Sequence, residues 1–551
     1  MTRYIFVTGG VVSSLGKGIT AASIGRLLKA HGLSVTIVKC DPYINVDAGT
    51  MAPLQHGEVF VTDDGAETDL DLGYYERFLG IDTSRINIVT AGQIYQTVIA
   101  REREGGYLGQ TVQVIPHITD EIKRRFVKAA EGFDITIVEI GGTVGDIESL
   151  PFLEAARQMR PDRTRNDVLY LHVTLVPYLS ASDELKTKPT QHSVNKLREI
   201  GIDPDIIVCR AEKPLARDIK NKIALFTSVP REAVIDAPDA PSIYDVPLIL
   251  KKQGLDEQIM MLLRLRSGKW DFDEWTDFVQ RLKAADKAAP VRIAIAGKYT
   301  KLKDSYKSLV EAVLHGAIAN GVKAEFDYVD VEDESFSERL AKADGLIVPG
   351  GFGDRGIEGK IAAVRYAREN KLPFLGICLG MQCAAIEFAR NVLGLRNAHS
   401  AEFNPKTPHP VVDLMAGQKG VKDKGGTMRL GAWPCEIKAG TLARKIYGED
   451  SISERHRHRY EFNTKYVPQF EKKGMTVSGT NKKIKLPEMV ELKGHPWFVG
   501  VQFHPEFKSK PLMPHPLFFS FVAAAVRNKA VNNKDKIIHI DEQDRQDKKG
   551  K

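Results

Sequence analysis

Short apolar runs alternate with longer segments of mixed polarity through the first half of the chain. A helix-compatible stretch, Ile19–His31, separates the first two runs. Buried parallel strands joined by helices produce this alternation, so the pattern predicts an α/β domain with a doubly wound parallel sheet. Ligands of such folds bind at the carboxyl ends of the strands. The runs are Tyr4–Val7, Val35–Val38, Ile135–Glu139, Leu169–Val176, Asp205–Cys209 and Ala233–Ile235.

The alternation lapses over Ser267–Pro290 and then resumes. This stretch begins with a helical pattern and ends in a segment rich in lysine and alanine, so it is interpreted as a linker. The second series predicts another doubly wound parallel α/β domain. The expected organisation is a first domain over 1–266, a linker over 267–290 and a second domain over 291–530. The second series comprises Val291–Ala296, Ala324–Tyr328, Gly345–Val348 and Pro373–Ile377.

Composition narrows the class of protein. The chain has 551 residues, too many for one core, and its N-terminus reads as a strand rather than a secretion signal. No run of eighteen apolar residues occurs, so no membrane span is expected. Five scattered cysteines without a CxxC pair argue against a disulfide scaffold or zinc cluster and favour the cytoplasm. The net charge of +7 is spread thinly and lies partly in a polar tail, 531–551, predicted to be disordered; no nucleic-acid partner is expected.

A glycine-rich turn follows the first predicted strand and opens a helix, over residues 9–20. Its backbone N–H groups and the helix N-terminus suit phosphate oxygens, and Lys17 is placed to reach the β and γ phosphates. The match to the phosphate-loop pattern is imperfect, because Val11 replaces the first glycine and Gly18 replaces the hydroxyl residue that usually holds magnesium. Other residues are therefore expected to hold the metal. Asp71 and Glu139 are the candidates, since Glu139 ends a strand and hard Mg²⁺ prefers carboxylates with phosphate oxygens.

The sharpest chemistry lies in the second half. Cys378 stands between a strand and a helix, with a glycine two residues away on each side, which is the thiol form of a nucleophile elbow. His504 follows an apolar strand near the chain end, and Glu506 is placed to orient its imidazole. The backbone N–H groups of Gly351 and Leu379 are candidate oxyanion donors. This set predicts acyl transfer from a carboxamide or ester.

The stretches GICLGMQ and QFHPEF resemble class I glutamine amidotransferase domains. The first half resembles the amidoligase domain of CTP synthases, and the likeness of both halves covers about residues 1–530. In that family, ATP phosphorylates O4 of UTP, and ammonia from glutamine then displaces the phosphate at C4. The resemblance in the first half is carried by Phe6–Gly18, Lys39–Gly49, Gln55–Leu72, Val138–Leu153 and Lys186–Gln191.

The resemblance also implies particular contacts for each ligand. ATP is expected at Ser14, Leu15, Gly16, Lys17, Gly18, Ile19, Asp71, Pro238, Asp239 and Ala240, with Mg²⁺ on Asp71 and Glu139. UTP and the inhibitor CTP are expected at Ser13, Asp146, Ile147, Glu148, Lys186, Thr187, Lys188, Pro189, Thr190, Gln191 and Lys222. Glutamine is expected at Gly351, Leu379, Gly380, Met381, Gln382, Glu402 and Arg459, beside Cys378.

The family further implies GTP as allosteric activator, CTP as feedback inhibitor and a homotetramer. The basic cluster at Lys186 and Lys188, with Lys222, suits a second triphosphate, which an ordinary ATPase does not need. Ammonia is protonated in water near neutral pH, so a closed route between the two sites is expected.

Other functions share part of these motifs. A glutamine-dependent amidoligase acting on a carboxylate would use the same phosphate loop and Cys–His–Glu set, but it would need no second triphosphate site. A nucleotide-sensing scaffold with an inert glutaminase-like module would require a broken triad. The basic run from Arg455 to Tyr460 alone would fit an RNA-binding patch, but a carboxylate-binding role for Arg459 in the glutamine site is preferred.

Overall fold

The computed structural model describes residues 2–51, 57–164, 166–297, 303–333, 335–351, 353, 355–414 and 428–549. Gln55, at the start of one stretch of the resemblance, lies outside them. The chain divides into two compact units: the first comprises Met1–Ala48 and Thr68–Val279, the second Gly49–Glu67 and Gln280–Lys551. The grouping thus assigns residues 49–67 to the second unit, although they precede most of the first. The predicted domain ranges follow sequence order alone and contain no such exchange.

Up to residue 285, the strands of the main sheet are separated by helices over most of the chain, as the apolar pattern predicts. The strands are β1 Arg3–Gly9, β2 Val35–Asp41, β3 Phe60–Val61, β4 Glu67–Thr68, β5 Ile88–Thr90, β6 Ile135–Ile140, β7 Val168–Leu175, β8 Tyr178–Leu179, β9 Glu184–Leu185, β10 Ile206–Ala211 and β11 Val234–Pro238. The helices are α1 Lys17–Ala30, α2 Asp71–Leu79, α3 Ala91–Arg103, α4 Thr119–Ala129, α5 Leu150–Met159, α6 Lys188–Glu199, α7 Arg217–Thr227, α8 Val246–Lys252, α9 Leu255–Leu262 and α10 Asp273–Ala285.

The first unit is built on one seven-stranded parallel sheet in the order β11-β10-β7-β1-β6-β2-β5. β6 is buried along its whole length, because helices cover both faces of the sheet. Phe6 on the central strand β1 packs against Phe126 and Tyr170 in the core. Since all strands are parallel, their carboxyl ends meet at one edge, where the loop after β1 lies.

The rest of the chain forms the body of the second unit. Its strands are β12 Pro290–Gly297, β13 Lys323–Asp330, β14 Gly345–Val348, β15 Phe374–Ile377, β16 His399–Ser400, β17 Pro410–Leu414, β18 Arg429–Ile437, β19 Ser451–His458, β20 Tyr460–Phe462, β21 Met475–Asn481, β22 Leu486–Leu492 and β23 Phe498–Val501. Its helices are α11 Lys307–Ala319, α12 Phe336–Leu340, α13 Ile357–Glu369, α14 Leu379–Asn391, α15 Leu442–Tyr447, α16 Val467–Lys472 and α17 Pro516–Lys549.

The main sheet of the second unit has nine strands, in the order β13-β12-β14-β15-β23-β22-β21-β18-β19. The first five are parallel, as predicted, and the pairings from β23 onward are antiparallel. The predicted α/β class with parallel sheets is therefore confirmed for both units. The antiparallel half was not predicted, because the apolar pattern indicated only a doubly wound parallel sheet.

The C-terminal segment differs from its prediction. Residues 531–549, expected to be disordered, continue helix α17 to Lys549. They contain neither glycine nor proline, so nothing in the local sequence stops the helix that begins at Pro516. Among the described helices, none is both long enough and apolar enough to cross a bilayer.

Candidate active sites

The loop between β1 and α1 is shaped for close approach to an anion. Gly16 precedes the helix in a left-handed conformation (φ 84°), and Val11 and Ser14 also have positive φ. Gly10 packs so tightly that a Cβ there would lie 1.7 Å from Ser193 Oγ. Lys17, the first residue of α1, donates from Nζ to the Gly142 carbonyl over 2.7 Å. The loop therefore has the tight turns and helix N-terminus that a phosphate site requires.

Asp71 and Glu139 lie together beside this loop. A Cβ on Gly18 would stand 2.5 Å from Asp71 Oδ1 and 3.4 Å from Glu139 Oε2. This contact explains why glycine replaces the usual hydroxyl residue at position 18, because a side chain there would collide with the Asp71 carboxylate.

Lys39, which no sequence motif predicts, lies between these acids. Its Nζ pairs with Asp71, lies 3.2 Å from Glu139 Oε1 and lies 3.6 Å from Asp69 Oδ2. Burial lowers the pKa of Lys39, but the surrounding carboxylates outweigh it and hold that pKa well above its usual value. Burial raises the pKa of Asp41, 3.8 Å from the same Nζ, to about 6, against the opposing charge of Lys39. A lysine near the end of the apolar strand β2 was the available signal.

The donor set fits magnesium held partly by phosphate. Glu139 is 1% exposed, and Asp71 contacts the same lysine, so two carboxylates face one point at the edge of the sheet. Within the described part of the chain, no three acidic, imidazole or thiol side chains are grouped to hold an ion alone. Mg²⁺ commonly takes one or two carboxylates and completes its shell with phosphate oxygens and water.

Cys378 occupies a strained turn in the second unit. It follows β15 directly and stands at the N-terminus of α14 with φ 51° and ψ −102°, an unusual conformation for a residue with a side chain. Gly380 permits the turn, since a Cβ on it would lie 2.0 Å from the Val348 carbonyl. The turn thus holds the thiol at the N-terminus of a helix.

His504 and Glu506 complete this site. His504 Nδ1 lies 2.7 Å from Glu506 Oε1, and a Cβ on Gly350 would be 3.6 Å from both His504 Nε2 and Cys378 Cβ. Burial lowers the pKa of His504, but Glu506 and the Cys378 side chain, which is hydrogen-bonded to the ring, raise it to about 10. Gln502, not predicted, directs its Nε2 to Cys378 Sγ at 3.8 Å. The arrangement favours an imidazolium beside the Cys378 side chain.

A cavity of about 560 Å³ opens onto the thiol. Its wall contains most of the predicted glutamine set, whereas Met381 is fully buried behind it and Gly380 packs on Val348. A smaller cavity of about 90 Å³ lies beside His504 and shares Gly351 and Arg457 with the first. The larger cavity is lined by Gly49, Thr50, Gly351, Cys378, Leu379, Gln382, Glu402, Met428, Arg457, His458, Arg459 and Tyr460.

The alternative of an RNA-binding patch over Arg455–Tyr460 is wrong. Arg455 and His456 are completely buried, and His458 is nearly so, because β19 runs along the sheet. His456 Nδ1 and His458 Nε2 lie 2.8 Å apart, and burial lowers the pKa of both imidazoles well below the usual value. Only a basic run on the surface would serve a polyanion.

Comparisons with known proteins agree with both halves of this description. Residues 3–265 match the family model described as CTP synthase N-terminus, and residues 301–524 match glutamine amidotransferase class-I. A CTP synthase of Clostridium kluyveri is 58% identical over 533 residues, covering 96% of this chain and 99% of the relative. One from Caldanaerobacter subterraneus subsp. tengcongensis is 58% identical over 538 residues, covering 97% and 100%. The chain belongs to the CTP synthase family.

A solved structure is also similar to part of this chain. It is described as Trypanosoma brucei CTPS, glutaminase domain with bound acivicin, and is 40% identical, with a TM-score of 0.41. The match covers 43% of this chain and 94% of that one.

One group of the residues expected to bind UTP and CTP, 146–148, lies between β6 and α5. Asp146 accepts hydrogen bonds from the backbone and hydroxyl of Thr143, and Val144 N donates to Gly9 O over 2.8 Å. Ile147 and Glu148 follow in an exposed turn.

The Lys186–Gln191 segment follows β7, the neighbour of β1. Thr187 immediately precedes α6, Lys186 pairs with Glu184, and Lys188 is exposed. Thr190 Oγ1 donates to Leu175 O over 3.0 Å. Pro189 and Gln191 belong to the same first turn of α6.

Two further groups of residues that the family resemblance implies for nucleotide binding lie later in the chain. Lys222 is exposed on α7, which packs against α6. Pro238 ends β11, which lies three strands from β1, and Asp239 and Ala240 follow it. Arg210 donates to the Pro238 carbonyl over 3.0 Å and to Asp239 Oδ1 over 2.7 Å, which fixes this turn at the same sheet edge as the phosphate loop.

Proposed function

We propose that the two sites carry out two halves of one amination. Membership of the CTP synthase family makes the chain a glutamine-hydrolysing C–N ligase that converts UTP to CTP at the expense of ATP. In the first unit, the γ-phosphoryl group of ATP passes to O4 of UTP, and ammonia then attacks C4 as phosphate leaves. Phosphorylation is needed because the carbonyl-derived oxygen is otherwise a poor leaving group.

The nitrogen is released in the second unit. The Cys378 thiolate attacks the glutamine carboxamide, and the His504 imidazolium gives its proton to the departing ammonia. Glu506 keeps the ring oriented, and the N–H groups of Gly351 and Leu379 stabilise the oxyanion. Water then hydrolyses the thioester to glutamate. Arg459 and Glu402, on the cavity wall, suit the charged carboxylate and ammonium ends of glutamine.

The nucleotides bind at the carboxyl edge of the parallel sheet in the first unit. Lys17 and the loop N–H groups bind the ATP phosphates, with the adenine at Pro238–Ala240. Mg²⁺, held by Asp71 and Glu139, would neutralise charge on the transferred phosphoryl group. UTP takes Ser13 and the Lys186–Gln191 segment, with Lys222, and CTP also takes Asp146, Ile147 and Glu148.

Finer features rest on the family resemblance. We infer that GTP activates glutamine hydrolysis, that CTP inhibits, and that the enzyme is a homotetramer. A cytoplasmic location agrees with all five cysteines being free and buried. The small cavity beside His504, lined also by Glu58 and Val59, is proposed as the start of the ammonia route.

One observation carries the proposal: a Cys–His–Glu site and a phosphate loop with paired carboxylates occur in one chain. The test is to incubate the protein with ATP, MgCl₂, UTP and glutamine and to quantify CTP. We expect CTP only when all four are present, and chelation of Mg²⁺ to stop it. Formation of an amide on a carboxylate substrate, with no CTP, would contradict the proposal.

A further inference from the structure

Residues 57–67, here named the hairpin segment, come from the first half of the sequence but belong to the second unit. The segment carries β3 and pairs it with β4. Ala432 N donates to Asp63 O over 2.8 Å. Gly431 has φ 80°, and a Cβ on it would lie 2.5 Å from the same oxygen, so glycine is required where the hairpin segment is seated. The contact is close and specific.

Arg455 is the main side chain beneath the hairpin segment. It is completely buried, and its Nε pairs with the Asp63 carboxylate. Its Nη1 donates to the Phe507 carbonyl over 3.3 Å, and its guanidinium lies 5.4 Å from the Phe60 ring centroid. Removing the carboxylate partner of a buried arginine leaves its charge uncompensated, which is unfavourable in the folded protein. Asp63 therefore helps to hold the Arg455 side chain in its position.

Arg455 and Phe507 are also the groups that hold His504. The Arg455 carbonyl accepts from His504 N over 2.7 Å, and the Phe507 ring stacks on the imidazole at 5.2 Å and 15°. Phe60, in the hairpin segment, packs edge-on against the Phe507 ring, with centroids 5.1 Å apart. The hairpin segment therefore contacts both supports of His504, and none of its residues lines the cavity of about 560 Å³ at Cys378.

We propose that Asp63 is a positioning residue for the glutamine-hydrolysing site: through Arg455 it fixes the backbone and the aromatic ring that hold His504. This inference rests on the proposed role of His504 as the base partner of Cys378. The hairpin segment is then a working part of the glutaminase, although most of that module lies more than two hundred residues later in the chain.

The test uses the full-length enzyme with Asp63→Asn and Asp63→Glu. The control is Asp450→Asn, which removes the partner of Arg444 from an exposed pair (2.9 Å) in the same unit. Asp63→Asn is expected to lower kcat for glutamine hydrolysis by roughly tenfold to a hundredfold, because a displaced base costs rate rather than binding. The KM for glutamine should stay within about twofold, since the cavity residues are untouched.

Two further measurements separate positioning from folding. CTP synthesis from ammonium chloride should be unchanged in Asp63→Asn, and Asp63→Glu should restore part of the hydrolysis rate. The pH profile of Cys378 alkylation by iodoacetamide should change its alkaline limb in Asp63→Asn and not in Asp450→Asn.

The inference is overturned if Asp63→Asn hydrolyses glutamine at the unaltered rate, or if it loses glutamine-dependent and ammonia-dependent synthesis equally. Cys378→Ala is assayed beside it. If Cys378→Ala still uses glutamine, the proposed function of the thiol site fails as well. If Cys378→Ala loses glutamine use but Asp63→Asn hydrolyses glutamine at the unaltered rate, the proposed function stands and this inference alone fails.

Discussion

The thiol site around Cys378 differs in its electrostatics from the edge of the first sheet that carries the loop after β1, here called the phosphate edge. Around Cys378, one imidazole is paired with one carboxylate, and the thiol lines a cavity of about 560 Å³, as suits an amide substrate without charge at the reacting bond. At the phosphate edge, Lys39 lies within 4 Å of four carboxylates in a buried cluster. The function proposed for this edge, binding two triphosphates and a metal, requires many buried charges, and these must compensate one another because isolated buried charges are too costly. The thiol site thus depends mainly on the placement of a few groups, whereas the phosphate edge depends on the balance of its buried charges.

The largest expected effect comes from removing charge at the phosphate edge. Lys17→Ala should reduce CTP synthesis at least about a thousandfold with either glutamine or ammonia, because both routes need the phosphorylated pyrimidine. Glutamine hydrolysis measured without nucleotides should persist. A variant of the exposed Lys196, on α6, serves as control. Retained ammonia-dependent synthesis in Lys17→Ala would refute the phosphate assignment.

A change in the thiol site should instead appear in the pH profile. Glu506 helps to raise the pKa of His504 to about 10, so hydrolysis should persist until the imidazolium loses its proton near that pH. Glu506→Gln removes the charge that favours the imidazolium, so the alkaline limb should move to lower pH and the rate near pH 8 should fall about tenfold.

The measurement is the initial rate of glutamate release between about pH 6 and about pH 10. Glu471→Gln, which breaks only a surface pair with Lys438, should leave the profile unchanged. An alkaline limb that stays in place in Glu506→Gln would argue against the orienting role of this carboxylate.

The smallest effect is expected from substitutions of Gly18, which test whether the Asp71 carboxylate excludes a side chain at this position. Gly18→Ser restores the usual phosphate-loop hydroxyl but places a side chain 2.5 Å from Asp71 Oδ1, so the KM for ATP should rise several-fold. Gly18→Ala should behave the same way, since the effect is steric. If Gly18→Ser proved clearly better than Gly18→Ala, the hydroxyl would be a metal ligand and the assignment to Asp71 and Glu139 would be incomplete.

The sequence was informative where function is local in the chain. Cys378 and its flanking glycines lie within one strand–turn–helix, and His504 and Glu506 lie two residues apart, so short motifs predict the site. Lys39 was not predicted, because its role depends on Asp69, Asp71 and Glu139, which only the parallel sheet brings together. The placement of the hairpin segment in the second unit was equally hidden, since Asp63 and Arg455 are far apart in sequence.

The division of labour between the two sites is tested most directly by Cys378→Ala, assayed for CTP from UTP and ATP with glutamine and, separately, with ammonium chloride. Glutamine-dependent synthesis should fall at least about a thousandfold, while ammonia-dependent synthesis stays within about twofold of the unaltered enzyme. Equal loss with both nitrogen sources, or continued use of glutamine, would contradict the account.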